Sequence, residues 1–149
     1  MAKIKTYMAK IKTLVIASGY FNPLHKGHIE YLQRSKELGN KLAVIINNDI
    51  QVDLKGSTPF QSESERKIII DALGCVDYTF ISIDTDRDVS RTIGFIHKFL
   101  KADNYIFTNG GDQFGSTILE TDICEELNIK LIDGLGDKIQ SSSELKNKI

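Results

Sequence analysis

The feature that most constrains this 149-residue chain is an alternation of short, continuously apolar runs with stretches of helical periodicity. "TLVIAS" (13–18) and "KLAVIIN" (41–47) are β-branched runs without polar alternation, as strands buried on both faces require. "YTFISI" (78–83), "NYIFTN" (104–109) and "IKLID" (129–133) continue the series. Between the first two, Ile29, Leu32 and Leu38 with Tyr31 form an apolar stripe from Gly27 to Leu38, stopped by Gly39. Ser62 and Glu65 open a capping box for a helix through Leu73, and residues 88–101 and a stretch ending near Leu127 predict two more helices. Ser141 and Glu144 form a second box for a last short helix, whereas residues 48–61, with Gly56 and Pro59 as breakers, read as a polar loop. The pattern predicts an α/β chain, a doubly wound parallel five-stranded sheet with helices on both faces. Such sheets bind ligands beyond the carboxyl ends of their strands, which singles out loops 19–28, 109–115 and 134–143.

Composition narrows the classes. Hydrophobic residues at 41% exclude a disordered chain, and a net charge of −1 offers no basic surface for nucleic acid. No apolar run reaches membrane-spanning length. Cys75 and Cys124 are far apart, without a CxxC or a Cys/His cluster, and read as reduced thiols of a cytoplasmic protein. "MAKIKT" stands at 1–6 and again at 8–13, too short for a structural repeat. It reads as a duplicated start with Met8 as the natural beginning. Residues 1–12 are taken as an extension and 13–149 as one domain.

The first of the three loops carries the chemistry. "GYFNPLHKGH" (19–28) holds two of the three histidines. Neither GxGxxG nor GxxxxGK[ST] follows the first strand. His25 and His28, three apart at a helix entrance, can instead aim ring nitrogens into one small volume beside unpaired N–H groups, a setting that favours phosphate. Gly27 between them allows a bulky group to approach the backbone. Two imidazoles on one phosphate stabilise charge that develops on its oxygens during displacement. The three hydroxyls of Ser141, Ser142 and Ser143, at the start of the last expected helix, suit the same kind of anion. Arg87, Arg91 and His97 read as surface or structural residues, and "DTDRD" lacks the spacing of an EF-hand loop.

"GYFNPLHKGH" resembles the GxFxxxHxGH signature of the cytidylyltransferase-type nucleotidyltransferases. That group includes glycerol-3-phosphate, choline-phosphate and heptose-1-phosphate enzymes and the adenylyltransferases of NAD and coenzyme A synthesis. "LKGSTPFQSESERKIIIDALGCVDYTF" is similar to the lysine-loop and "ER"-helix segment of the glycerol-phosphate and heptose members. "NYIFTNGGDQ" and "KIQSSSELK" resemble the fourth strand with its GGD ending and the closing ISTTxIK element. The likeness runs over residues 13–149 and implies a Rossmann-like sheet, a homodimer, and Mg²⁺ (or Mn²⁺) with a nucleoside triphosphate.

The resemblance also implies roles. Gly19, Tyr20, Phe21 and Gly27 would line the nucleotide, His25 and His28 grip the triphosphate, and Lys55 bind the α-phosphate or the acceptor phosphate. Arg66 would anchor the acceptor side or the loop that holds it. Gly110, Gly111 and Asp112 would shape the base and ribose site, with Lys138, Gln140, Ser141, Ser142 and Ser143 around the β- and γ-phosphates. The chain departs from the pattern at Asn22, usually Asp in the cytidylyltransferase and heptose members, at Gln140 and Ser143, and at Lys138, which stands near an expected arginine. The reading is a CTP-dependent transferase of CMP to a small phosphorylated or phosphonate acceptor, with release of pyrophosphate. ATP with a sugar phosphate such as heptose 1-phosphate is the alternative enzyme, and a non-catalytic nucleotide-binding module the alternative from another class.

Overall fold

The computed structural model describes residues 10–110 and 119–134. Along the chain these form β1 (Ile11–Gly19), α1 (Lys26–Glu37), β2 (Lys41–Ile46), α2 (Asp49–Leu54) and α3 (Glu63–Asp71). They are followed by β3 (Tyr78–Ile81), α4 (Ser90–Phe99), β4 (Ala102–Thr108), α5 (Thr121–Glu126) and β5 (Lys130–Ile132). The five strands pair in the order β3-β2-β1-β4-β5, every pair parallel.

The continuous apolar runs are explained by two cores, one on each side of this sheet. Leu14 and Ile16 of β1 and Ile45 of β2 pack with Ile93 and Ile96 of α4 and Cys124 of α5. The intervening Val15, Ala17, Val44 and Ile46 face the other way, onto Tyr31 and Leu32 of α1 and Ile70 of α3. Period-two alternation therefore buries both faces at Leu14–Ala17 of β1 and Leu42–Ile46 of β2, and helices cover each face.

The chain winds outward from β1 through β2 to β3, then crosses back to place β4 on the other side of β1. That reversal opens a crevice at the carboxyl ends of β1 and β4. Tyr31 closes its floor: its hydroxyl donates to the Thr108 carbonyl at 2.9 Å and accepts from the Ser18 N–H at 3.4 Å, so one side chain ties both strands.

Three boundaries differ from the sequence reading. β1 starts at Ile11, which pairs with Ala102 of β4, so residues 11 and 12 belong to the sheet and not to an extension. Ser62 accepts from the Glu65 N–H at 3.2 Å and α3 ends at Asp71. The expected loop 48–61 contains α2, six residues capped by Asn48, whose Oδ1 accepts from the Gln51 N–H at 2.9 Å while Gln51 Oε1 accepts from the Asn48 N–H at 3.1 Å. The expected box from Ser141 to Glu144 lies outside the described residues.

Candidate active site

At the carboxyl end of β1 the two histidines start α1, and they do so by capping it. His25 is the N-cap, its Nδ1 accepting from the Gly27 N–H at 3.1 Å, and His28 Nδ1 accepts from the His25 N–H at 3.2 Å. Two backbone donors that a helix start leaves unpaired are thus satisfied by imidazoles in place of the usual Ser/Thr and Glu. Each Nδ1 is an acceptor, so each neutral ring carries its proton on Nε2, as a donor. The rings stack with centroids 3.8 Å apart and 26° between planes, and both Nε2 edges belong to one small region.

Glycines make room for this arrangement. A Cβ at Gly27 would come within 3.0 Å of the His25 ring. One at Gly19 would lie 2.7 Å from Phe21 Cζ, because the Phe21 ring folds back over Gly19 from a backbone at φ 48°. Phe21 is 1% exposed, and its ring meets His28 edge-on at 5.2 Å. It is the apolar backing of the histidine pair.

The histidines line a cavity of about 210 Å³ together with Tyr20, Asn22, Lys55 and Ser57. Lys55 is the C-cap of α2, and its Nζ sits 4.2 Å over the centre of the Tyr20 ring. Burial pushes the Tyr20 phenol up from its ordinary range, and Arg87 acts in the opposite sense. A larger hollow of about 590 Å³ lies at the amino ends of the strands, around Thr13, Asn104, Tyr105 and Lys130. It holds His97 without a second imidazole, and chemistry, more than size, directs attention to the smaller cavity.

Arg66 has 0% exposure, so its guanidinium cannot reach an acceptor in solvent. It donates to the carbonyls of Tyr20 (2.8 Å), Asn47 (2.6 Å) and Gln61 (3.1 Å) and pairs with Asp49 Oδ1 at 2.8 Å. Those partners tie the backbone after β1, the backbone after β2 and the segment before α3 to one side chain. Asn22 works on the same loop from the other side. Its Nδ2 donates to the Thr58 carbonyl at 3.1 Å, and its Oδ1 accepts from the N–H groups of Phe60 (2.7 Å) and Gln61 (3.2 Å). Sequence spacing carries no trace of these contacts.

Gly110 follows β4 at the crevice, where an added Cβ would be 3.8 Å from the Tyr31 ring. Gly111, Asp112, Lys138, Gln140, Ser141, Ser142 and Ser143 lie outside the described residues. Arg87 and Arg91 are exposed, and His97 packs on Tyr105 with ring centres 4.5 Å apart. The loop after β3 is pinned by α2: Asn48 Nδ2 donates to the carbonyls of Ser82 and Asp84, and Gln51 Nε2 to those of Asp86 and Asp88. Asp84 there caps α4, its carboxylate accepting from the N–H groups of Arg91 and Thr92 at 2.9 and 3.0 Å. Burial raises the Glu120 carboxyl, which accepts from the Val89 N–H at 3.1 Å, and lifts the Cys124 thiol to about 12, leaving it unreactive.

A parallel sheet with a histidine-capped helix at its central strand is the architecture of a nucleotidyltransferase. Residues 16–134 match the model of the Cytidylyltransferase-like family, and the chain belongs to that family. It is 37% identical over 131 residues to the bifunctional protein HldE of Syntrophotalea carbinolica, covering 83% of this chain and 25% of that protein. It is 36% identical over 140 residues to HldE of Campylobacter fetus subsp. fetus, covering 93% of this chain and 28% of the relative. The chain thus spans about a quarter of the length of the curated relatives it matches. Among solved structures, the lipopolysaccharide core biosynthesis protein of Thermoplasma volcanium GSS1 superimposes with a TM-score of 0.66 at 30% identity, over 81% of this chain and 94% of that one.

Proposed function

We propose that the chain transfers an adenylyl group from ATP to the phosphate of a small sugar phosphate such as heptose 1-phosphate, releasing pyrophosphate. The observation that carries the reading is the pair of Nε2–H donors fixed at one helix N-terminus, with Lys55 on the same cavity. An acceptor phosphate oxygen attacks the α-phosphorus in line. One P–O bond forms, the bond from the α-phosphorus to the bridging oxygen breaks, and pyrophosphate leaves with the electron pair. His25 and His28 donate to the phosphate oxygens as charge accumulates. Lys55 leaves the Tyr20 ring for the α-phosphate or the acceptor phosphate.

Arg66 holds the loop beneath, and no protein nucleophile is needed. Gly110, Gly111 and Asp112 take the base and ribose, and Lys138, Gln140 and Ser141 to Ser143 the outer phosphates, as the resemblance implies. A divalent cation bound with the nucleotide is what the resemblance implies here. When bound, it supplies further charge neutralisation.

Similarity to the HldE proteins and to a lipopolysaccharide core biosynthesis protein favours ATP and a sugar phosphate over CTP and a polyol phosphate. The test is pyrophosphate release with ATP and with CTP against heptose and hexose 1-phosphates, glycerol 3-phosphate, phosphocholine and simple phosphonates. The expected result is turnover with ATP and a sugar 1-phosphate, reduced roughly 10²–10³-fold in His28→Ala, the usual effect of losing one preorganised donor. His28→Asn, which keeps an acceptor for the His25 N–H, separates capping from chemistry. Turnover with CTP alone would replace the nucleotide assignment, and turnover undiminished in His28→Ala would refute the role of the histidines.

A further inference from the structure

Tyr20 meets two chemically different surroundings. Its ring lines the cavity of the histidines and carries the Lys55 ammonium 4.2 Å from its centre. A cation over the ring centre covers one face and leaves the hydroxyl, on the ring edge, uncovered. Tyr20 is half-buried, and among the described residues its hydroxyl has no hydrogen-bond partner. Arg87 and Glu120 both act electrostatically on that hydroxyl, in opposite senses. Arg87 is exposed in the loop between β3 and α4, and the Glu120 carboxylate accepts from the Val89 N–H just before α4.

These surroundings are fixed relative to one another. The Tyr20 carbonyl accepts from Arg66 at 2.8 Å, which holds the backbone from which the ring projects. Gln51 Nε2 donates to the carbonyls of Asp86 and Asp88, each at 2.8 Å, so the backbone on either side of Arg87 is tied to α2. The next residue of α2, Val52, lines the cavity, and Lys55 caps the same helix. In charge, however, the loop differs from the cavity. Carboxylate oxygens of Asp84, Asp86 and Asp88 lie within 4.8 Å of one another around the single Arg87. Such a loop opposes a second phosphate, whereas neutral hydroxyls, which donate to carboxylates and accept from a guanidinium, suit it.

We infer that Tyr20 is a specificity-determining residue for the acceptor, its hydroxyl bonding to a hydroxyl of the sugar whose phosphate lies beside Lys55. Topology separates this role from contact with the ribose of the nucleotide. Lys55 and the Arg87 loop follow β2 and β3, on one side of β1, while Gly110 follows β4 on the other. The inference rests on the nucleotidyl-transfer reading, which brings a sugar phosphate to this cavity.

The experiment is Tyr20→Phe in the whole chain, which removes the hydroxyl and keeps a ring beneath Lys55. It is read as nucleotide KM and acceptor kcat/KM, with the sugar 1-phosphate that the wild type turns over and with its monodeoxy analogues. Thermal melting is the check on folding. Acceptor kcat/KM should fall about three- to tenfold, the scale of one net hydrogen bond, while nucleotide KM and melting temperature stay at wild-type values. One deoxy analogue should lose the same factor with the wild type and lose little further with Tyr20→Phe, since its partner is already gone. Wild-type acceptor kinetics in Tyr20→Phe overturn the proposal. So does a raised nucleotide KM with the acceptor unmoved, which would give the hydroxyl to the ribose, and so do equal losses for every analogue in both proteins.

Should the wild-type protein turn over no nucleotide and acceptor pair, the nucleotidyl-transfer reading fails by itself. Calorimetric binding of hexose and heptose 1-phosphates to the same two proteins then decides. Affinity lower by about three- to tenfold in Tyr20→Phe supports the hydroxyl contact, and equal affinity, or no binding to either protein, overturns it.

Discussion

Replacing Arg66 tests whether this arginine is a ligand or a bracket. Its side chain is wholly enclosed and carries three carbonyl acceptors from separate segments, at Tyr20, Asn47 and Gln61. The ion pair with Asp49 counts for less, because the Asp49 side chain is 38% exposed and partly screened by water. In Arg66→Ala the carbonyls lose their donor and a large buried volume empties. At about 1–3 kcal/mol for each buried group left unpaired, moderated by relaxation and water entry, the expected loss is about 3–5 kcal/mol. For a chain of this size that lowers Tm by roughly 12 °C. Arg66→Lys keeps the charge but presents one ammonium to four acceptors that a planar fork had spanned, and roughly half the loss remains. The assay is urea unfolding followed by circular dichroism, alongside acceptor KM measured well below the transition. A ligand role gives the opposite pattern: Arg66→Ala with unfolding free energy within about 0.5 kcal/mol of wild type, as for surface substitutions, and a raised acceptor KM would refute the bracket.

Two further outcomes concern Glu120, just before α5, and Gly19, at the end of β1. Burial raises the Glu120 carboxyl above its unfolded value, so the folded state holds its proton longer, and stability declines as pH rises through that window. Glu120→Gln keeps an acceptor for the Val89 N–H and removes the effect. Its urea midpoint should equal or exceed wild type at pH 7, with the advantage gone below about pH 4, where the unfolded carboxyl is also protonated; a wild type that gains on the variant as pH rises would contradict this. Gly19→Ala forces a methyl to within 2.7 Å of the Phe21 ring, which has core on its other side. Overpacking of about 1–3 kcal/mol should appear as a lower melting temperature with or without nucleotide. Unchanged melting with weakened nucleotide binding would mean that Gly19 serves the ligand instead.

The architecture was legible because a sheet covered on both sides leaves no polar alternation in its strands, and the runs at 13–18 and 41–47 have none. The histidine pair was legible for a related reason: local spacing at a helix start places His25 and His28 together whatever the rest of the chain does. α2 was missed although "NDIQ" (48–51) is a capping pair, because Asn and Gln stand in for the commoner Ser and Glu. The partners of Asn22 and Arg66 were beyond reach for a deeper reason. Arg66 meets Tyr20 across 46 positions and Asn22 meets Phe60 across 38, and such partners are set by tertiary packing and by no local periodicity.

The capping of α1 by imidazoles has a thermodynamic consequence for whatever anion enters. Histidine rings that wave freely would each have to be immobilised at the moment of binding, at a cost of about 0.5–1.5 kcal/mol apiece. Here rotamer and tautomer are both settled when the first turn of the helix forms. The ordering entropy is drawn from folding free energy, so an incoming phosphate meets donors whose directions no longer fluctuate. Conformational freedom given up once, by the chain, is not given up again at each binding event.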